Sequence, residues 1–160
     1  MIPAMTLKSL TLTVLLLALG TAFLAACGAA TTPEPAPTEV TLTATDIAYD
    51  VNAITTAAGR PVRVALHNTG ALVHDFSIAA IPLSGEAQAV EGMGDDHSMM
   101  DDHEAMMSGM HGDADIHVAA APGATGTVTF TPTEPGTYEY FCTVAGHKEA
   151  GMVGTLTVTE

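Results

Sequence analysis

From Glu39 onward, apolar and polar residues alternate in short runs, the period-two signature of half-buried strands. Val40, Leu42 and Ala44 share one face, and Val62, Val64 and Leu66 share another after the turn Ala58-Gly59-Arg60-Pro61. Phe76 and Ile78 continue the alternation, as do Val128 and Phe130, then Tyr138, Tyr140 and Cys142, and finally Leu156 and Val158. Pro122-Gly123 and Pro135-Gly136 mark turns between the later runs. Short strands at this spacing, without a helical period of comparable strength, predict an all-β domain over residues 39–160, folded as a two-sheet antiparallel sandwich.

Two stretches depart from the alternation. Residues 1–26 carry one cation, Lys8, and then an apolar run from Leu10 to Ala26, which reads as an export signal. Leu24-Ala25-Ala26-Cys27 resembles the bacterial lipobox, in which Cys27 would be acylated and become the first mature residue; the plainer alternative is an ordinary signal peptide cut nearby. Residues 27–38 then form a lipidated cysteine and a Pro-rich tether of small polar residues that cannot pack. This arrangement predicts an extracytoplasmic protein, lipid-anchored to a bacterial membrane on its periplasmic or cell-surface side.

The second stretch is an insert at about 84–116, a low-complexity segment of Met, His and Asp. Thioethers suit Cu(I), whereas imidazole and carboxylate suit Cu(II), so Met93, His97, Met99, Met100, His103, Met106, Met107, Met110 and His111 are candidate ligands for additional weak copper. Two other readings stand beside that one. Met99, His103, Met106 or Met107, and Met110 fall at helical spacing and could pack on the sandwich. The insert's nine acidic residues, without a cation among them, equally suit a disordered solvating loop.

The formal net charge of −14 comes from only 4 Lys and Arg against 18 Asp and Glu, and no basic patch exists to neutralise phosphates. Nucleic acid is therefore excluded as a partner. The chain has 2 cysteines, and if Cys27 is the anchor, Cys142 has no disulfide partner. A lone thiol in an oxidising compartment argues for metal ligation.

Cys142, His147 and Met152 form a Cys-x4-His-x4-Met run, with Gly146 and Gly151 able to turn three side chains towards one point. Together with His74, placed where Ala71-Leu72-Val73 enters a strand, they compose a thiolate, two imidazoles and a thioether, the donor set of a blue-copper site. His74 could instead be a buried histidine that is only hydrogen-bonded. His67 alternates away from Val64 and Leu66 and reads as a surface histidine, while His117 is read as a surface residue or a secondary site.

The segments His74-Asp-Phe-Ser-Ile and Tyr138-Glu-Tyr-Phe-Cys-Thr-Val-Ala-Gly-His-Lys-Glu-Ala-Gly-Met152 resemble the plastocyanin and azurin family of cupredoxins. Their spacing is most similar to that of auracyanins. The resemblance covers about 39–160 without the insert and implies a Greek-key β-sandwich with one type 1 copper at one end. It also implies that His147 reaches an apolar surface, for which Ala71, Leu72, Ala145 and Ala150 are candidates, and passes electrons there. Two residues depart from the family pattern. Asp75 stands where many members have Asn, and Val73 where azurins present a Gly carbonyl.

The function expected from these residues is a membrane-tethered, non-enzymatic carrier of single electrons between redox proteins such as cytochromes, oxidases or reaction centres. The alternative is a periplasmic protein that acquires, buffers or delivers copper through its Met/His insert. An oxidase or nitrite reductase would need a second copper centre, and the chain contains no His-x-His pair.

Overall fold

The computed structural model describes residues 35–93 and 114–160. Ten strands follow in order: β1 Thr38–Thr45, β2 Ala48–Tyr49, β3 Ala53–Ala57, β4 Val62–Asn68, β5 His74–Ile78, β6 Gln88–Val90, β7 Ile116–Ala120, β8 Thr125–Phe130, β9 Gly136–Phe141 and β10 Val153–Thr159. They build two five-stranded sheets, ordered β2-β1-β4-β8-β6 and β3-β10-β9-β5-β7, and no helix occurs among the described residues.

The alternation works as expected. Leu42 and Ala44, Val62, Val64 and Leu66, Phe76 and Ile78, Val128 and Phe130, Tyr140, Leu156 and Val158 all point into one core between the sheets. Phe76 sits at its centre, with its ring 5.0 Å from that of Tyr140 and 6.5 Å from that of Phe130. At about 25 cal/mol per Å² of apolar surface, burying such side chains is the main favourable term of the fold.

The expectation of an antiparallel sandwich needs correction, because both sheets are mixed. β1 runs parallel to β4, with Leu42 opposite Leu66, and β3 runs parallel to β10, with Ile54 opposite Leu156. The chain reaches β3 in the second sheet before returning to the first as β4, so β4 lies beside β1 in the same direction. A hairpin would have reversed it.

The expected insert boundaries also change. β6 lies within the 84–116 stretch and pairs with β8, Ala89 opposite Val128, while Gly92 and Ala120 form a parallel bridge. At its other end the same stretch contains the first residue of β7, which pairs along the whole of β5. Residues at both margins are therefore part of the sandwich, and the sequence between them, with all three proposed readings of its Met and His residues, lies outside the described residues.

Candidate metal centre

Two segments meet at one end of the sandwich. The first is the approach to β5. Asn68, fully buried at the end of β4, donates through Nδ2 to the carbonyls of Leu72 and Ala120, at 2.7 and 2.8 Å, and accepts from the Gly70 amide at 2.9 Å. These bonds fix the path by which His74 enters the sheet. Gly70 is required there, because a Cβ at that position would lie 2.9 Å from His74 Nε2.

The second segment is the loop from β9 to β10. Gly146 and Gly151 adopt φ of 85° and 100°, a region that other residues enter only with strain. The Met152 amide donates to the His147 carbonyl at 2.9 Å, and the Cys142 amide to the Met152 carbonyl at 3.2 Å. The backbones of three candidate ligands are thus tied to each other.

The side chains converge. Cys142 Sγ is 4.0 Å from His74 Nδ1 and 3.5 Å from His147 Nδ1. Cys142, His74 and Met152 are fully buried, and His147 is only 5% exposed. Ala71, Leu72, Ala145 and Ala150, the candidates for an apolar surface, are all exposed. A metal about 2.0–2.3 Å from each of three donors in a trigonal plane would separate N from S by roughly 3.7 Å, so the observed gaps fit a bound copper. With Met152 these residues form the pattern of a type 1 copper site.

Electrostatics favour the metal-ready forms unequally. Burial, reinforced by the neighbouring His147, pushes the His74 pKa down, so this imidazole stays neutral and offers a lone pair. Burial, reinforced by the Asp75 carboxylate, pushes the Cys142 thiol up to about 12. The thiol therefore keeps its proton until a metal displaces it.

Asp75, which stands where many family members have Asn, bridges the two segments. It is fully buried; Oδ2 accepts from Thr143 Oγ1 at 2.8 Å, and both its oxygens lie 3.0 Å from the Thr143 amide. Cys142 Sγ lies 3.5 Å from Oδ2. One carboxylate thus joins the β5 ligand segment to the β9–β10 loop.

Among the remaining histidines, His67 is half-buried and bonded through Nδ1 to Thr125 Oγ1 at 3.0 Å, away from the metal centre. His117 contradicts the expectation of a surface residue: its side chain is 7% exposed, and Nδ1 is 2.8 Å from Ser77 Oγ. It lies opposite Ser77 across the β5–β7 pair, and that register buries it. Met93 is 67% exposed; the other eight candidate secondary ligands lie outside the described residues. Ser77 and Asn68 escaped the sequence reading, Asn68 despite a visible signal: a polar residue closing a strand on its buried face.

Residues 36–159 match the copper binding proteins of the plastocyanin/azurin family. The chain belongs to this family. Among relatives of this cupredoxin is the copper-resistant cuproprotein CopI of Pseudomonas aeruginosa, 33% identical over 129 residues, which are 71% of each chain. Auracyanin-B of Chloroflexus aurantiacus is 62% identical over 37 residues, 23% of this chain and 16% of that protein. The dithionite-reduced auracyanin of Roseiflexus castenholzii superposes with a TM-score of 0.54 at 28% identity, covering 78% of this chain and 99% of its own.

Proposed function

We propose that this cupredoxin is a one-electron carrier, tethered by a lipid on Cys27 outside the cytoplasmic membrane and exchanging electrons with redox proteins such as cytochromes, oxidases or reaction centres. His74, Cys142 and His147 would hold copper, with the Met152 thioether as a fourth, weak ligand. The bound copper supplies reversible one-electron chemistry. One observation carries this reading: three buried ligand side chains are already gathered at the distances copper needs, on two segments locked by hydrogen bonds. Little has to move when the electron arrives, and such a site suits transfer better than uptake and release of metal. Copper-loaded oxidised protein should be intensely coloured by thiolate-to-copper charge transfer and bleach reversibly on reduction, and Cys142→Ser should abolish the colour. Stoichiometric copper binding with ordinary tetragonal spectra would refute the assignment. Acyl groups on the mature N-terminus, lost in Cys27→Ser, test the anchor.

A second reading, copper handling for tolerance, is favoured by the CopI relative and by the Met/His composition of the insert. The structure changes how to test it. Gly92 faces Ala120, whereas Ala114 lies six residues before Ala120 along the chain. A replacement for 94–113 must therefore span roughly 20 Å at about 3.3 Å per strand residue, which calls for a Gly/Ser linker of about eight residues. Copper handling predicts loss of extra copper equivalents while the colour stays; equal stoichiometry before and after leaves electron transfer alone.

A further inference from the structure

The Asp75 carboxylate has two sides. Oδ2 faces the ligand loop, through Thr143 Oγ1 and Cys142 Sγ. Oδ1 shares the Thr143 amide, at 3.0 Å, and also accepts from Ser77 Oγ at 2.8 Å, and Ser77 Oγ in turn lies 2.8 Å from His117 Nδ1. Asp75 and Ser77 are fully buried, as 0% exposed residues on consecutive outward positions of β5, and His117 is opposite Ser77 on β7. The direction of this chain of bonds follows from counting hydrogens. A hydroxyl has one proton to give, and Ser77 gives it to Asp75, because a carboxylate only accepts. Ser77 therefore accepts from His117, whose Nδ1 carries hydrogen. His117 Nδ1 also lies 4.0 Å from Asp75 Oδ1, so this N–H presents positive charge to the carboxylate.

Given copper at the site proposed above, we propose that His117, acting through Ser77, is a positioning residue that sets how strongly Asp75 bears on the copper thiolate. Donors on Oδ1 draw the carboxylate's charge outward, away from Cys142. Removing them leaves more negative charge near Sγ, and that favours oxidised over reduced copper. The chain links the redox centre to an edge strand that carries no ligand and that borders the insert.

The test is a double-mutant cycle read as reduction potential on the full-length, copper-loaded protein. Ser77→Ala and His117→Phe should each raise the oxidised-to-reduced ratio at a fixed applied potential by about three- to tenfold, within the range of coupling between directly linked groups. Ser77→Thr, which keeps the hydroxyl, should restore the wild-type ratio. In an Asp75→Asn background the same two substitutions should change the ratio much less, since the charge through which they act is gone. A general packing defect would not distinguish the two backgrounds. Equal shifts in both backgrounds, or no shift with Asp75 present while the blue band persists, overturn the proposal. If His117→Phe does not fold, Ser77→Ala alone completes the cycle. A wild-type protein that is colourless with copper overturns the copper assignment itself, a failure visible before any variant is made.

Discussion

Replacing Asp75 by Asn should raise the reduction potential. The carboxylate Oδ2 is 3.5 Å from Cys142 Sγ, and a unit charge at that separation contributes about 5 kcal/mol at an effective dielectric constant near 20. That figure bounds the effect. Thr143 and Ser77 hold part of the carboxylate's charge, and the electron added on reduction is spread over copper and sulfur, so a third of the bound is a reasonable expectation. About 1.5 kcal/mol corresponds to roughly 60 mV for a one-electron couple. Asn keeps a carbonyl oxygen for Thr143, so the two ligand segments should stay joined and the blue band should change little. Spectroelectrochemical titration of wild type and variant reads the shift directly. A potential unchanged or lowered, with the blue band intact, would show that the carboxylate does not act on the copper electrostatically, and the argument from its burial would fail.

Three further outcomes follow from the same coordinates. Because the Cys142 thiol is pushed up to about 12 by burial and by Asp75, copper uptake should release its proton and the apparent affinity should strengthen about tenfold per pH unit through neutral pH, measurable by competition titration. In the metal-free protein the same raised pKa means that this group's stabilising contribution is complete below pH 9.0 and is lost as pH rises towards about 12; denaturant midpoints across that window should fall for wild type, and less for Cys142→Ala. A Cβ at Gly154 would lie only 2.1 Å from Cζ and 2.3 Å from the hydroxyl of Tyr140, which is fully buried and anchored by that hydroxyl to the Val51 carbonyl at 2.7 Å, so Gly154→Ala should cost about 1–3 kcal/mol by denaturant titration while leaving the blue band in place.

The core was legible because strand alternation is a local signal: Leu42, Val64, Phe76, Val128, Tyr140 and Leu156 are buried where the period places them. Strand partners are not encoded in that period, and so the parallel neighbours β1 and β4, and β3 and β10, were not foreseen. β3 was missed for a related reason: its inward residues are Ile54 and Thr56, and one buried threonine is enough to blur an apolar face. β6 and the start of β7 were concealed by composition, since charge and methionine density drew the insert boundary through two paired strands. His74, Cys142 and His147 could be read because one short motif supplies two of them and a second histidine precedes a strand; the structure brings them within 4.8 Å of one another. Ser77 and His117 are 40 residues apart, and no local pattern announces that register pairs them.

The placement of Asp75 shows why the donor set alone does not determine the behaviour of the site. Burial makes His74 a better ligand by keeping it neutral, yet the same burial makes Cys142 a worse one by holding its proton. A carboxylate beside the thiol deepens the second effect before copper binds and favours the higher charge of oxidised copper afterwards. An Asn in its place would join the same two segments without either consequence. The carboxylate therefore adds a function that cohesion does not require: it gives groups remote from copper, at Ser77 and His117, a charge through which to act. Such a lever is useful only in a site whose ligands are otherwise fixed, and the bonds from Met152 to His147 and from Cys142 to Met152 fix them.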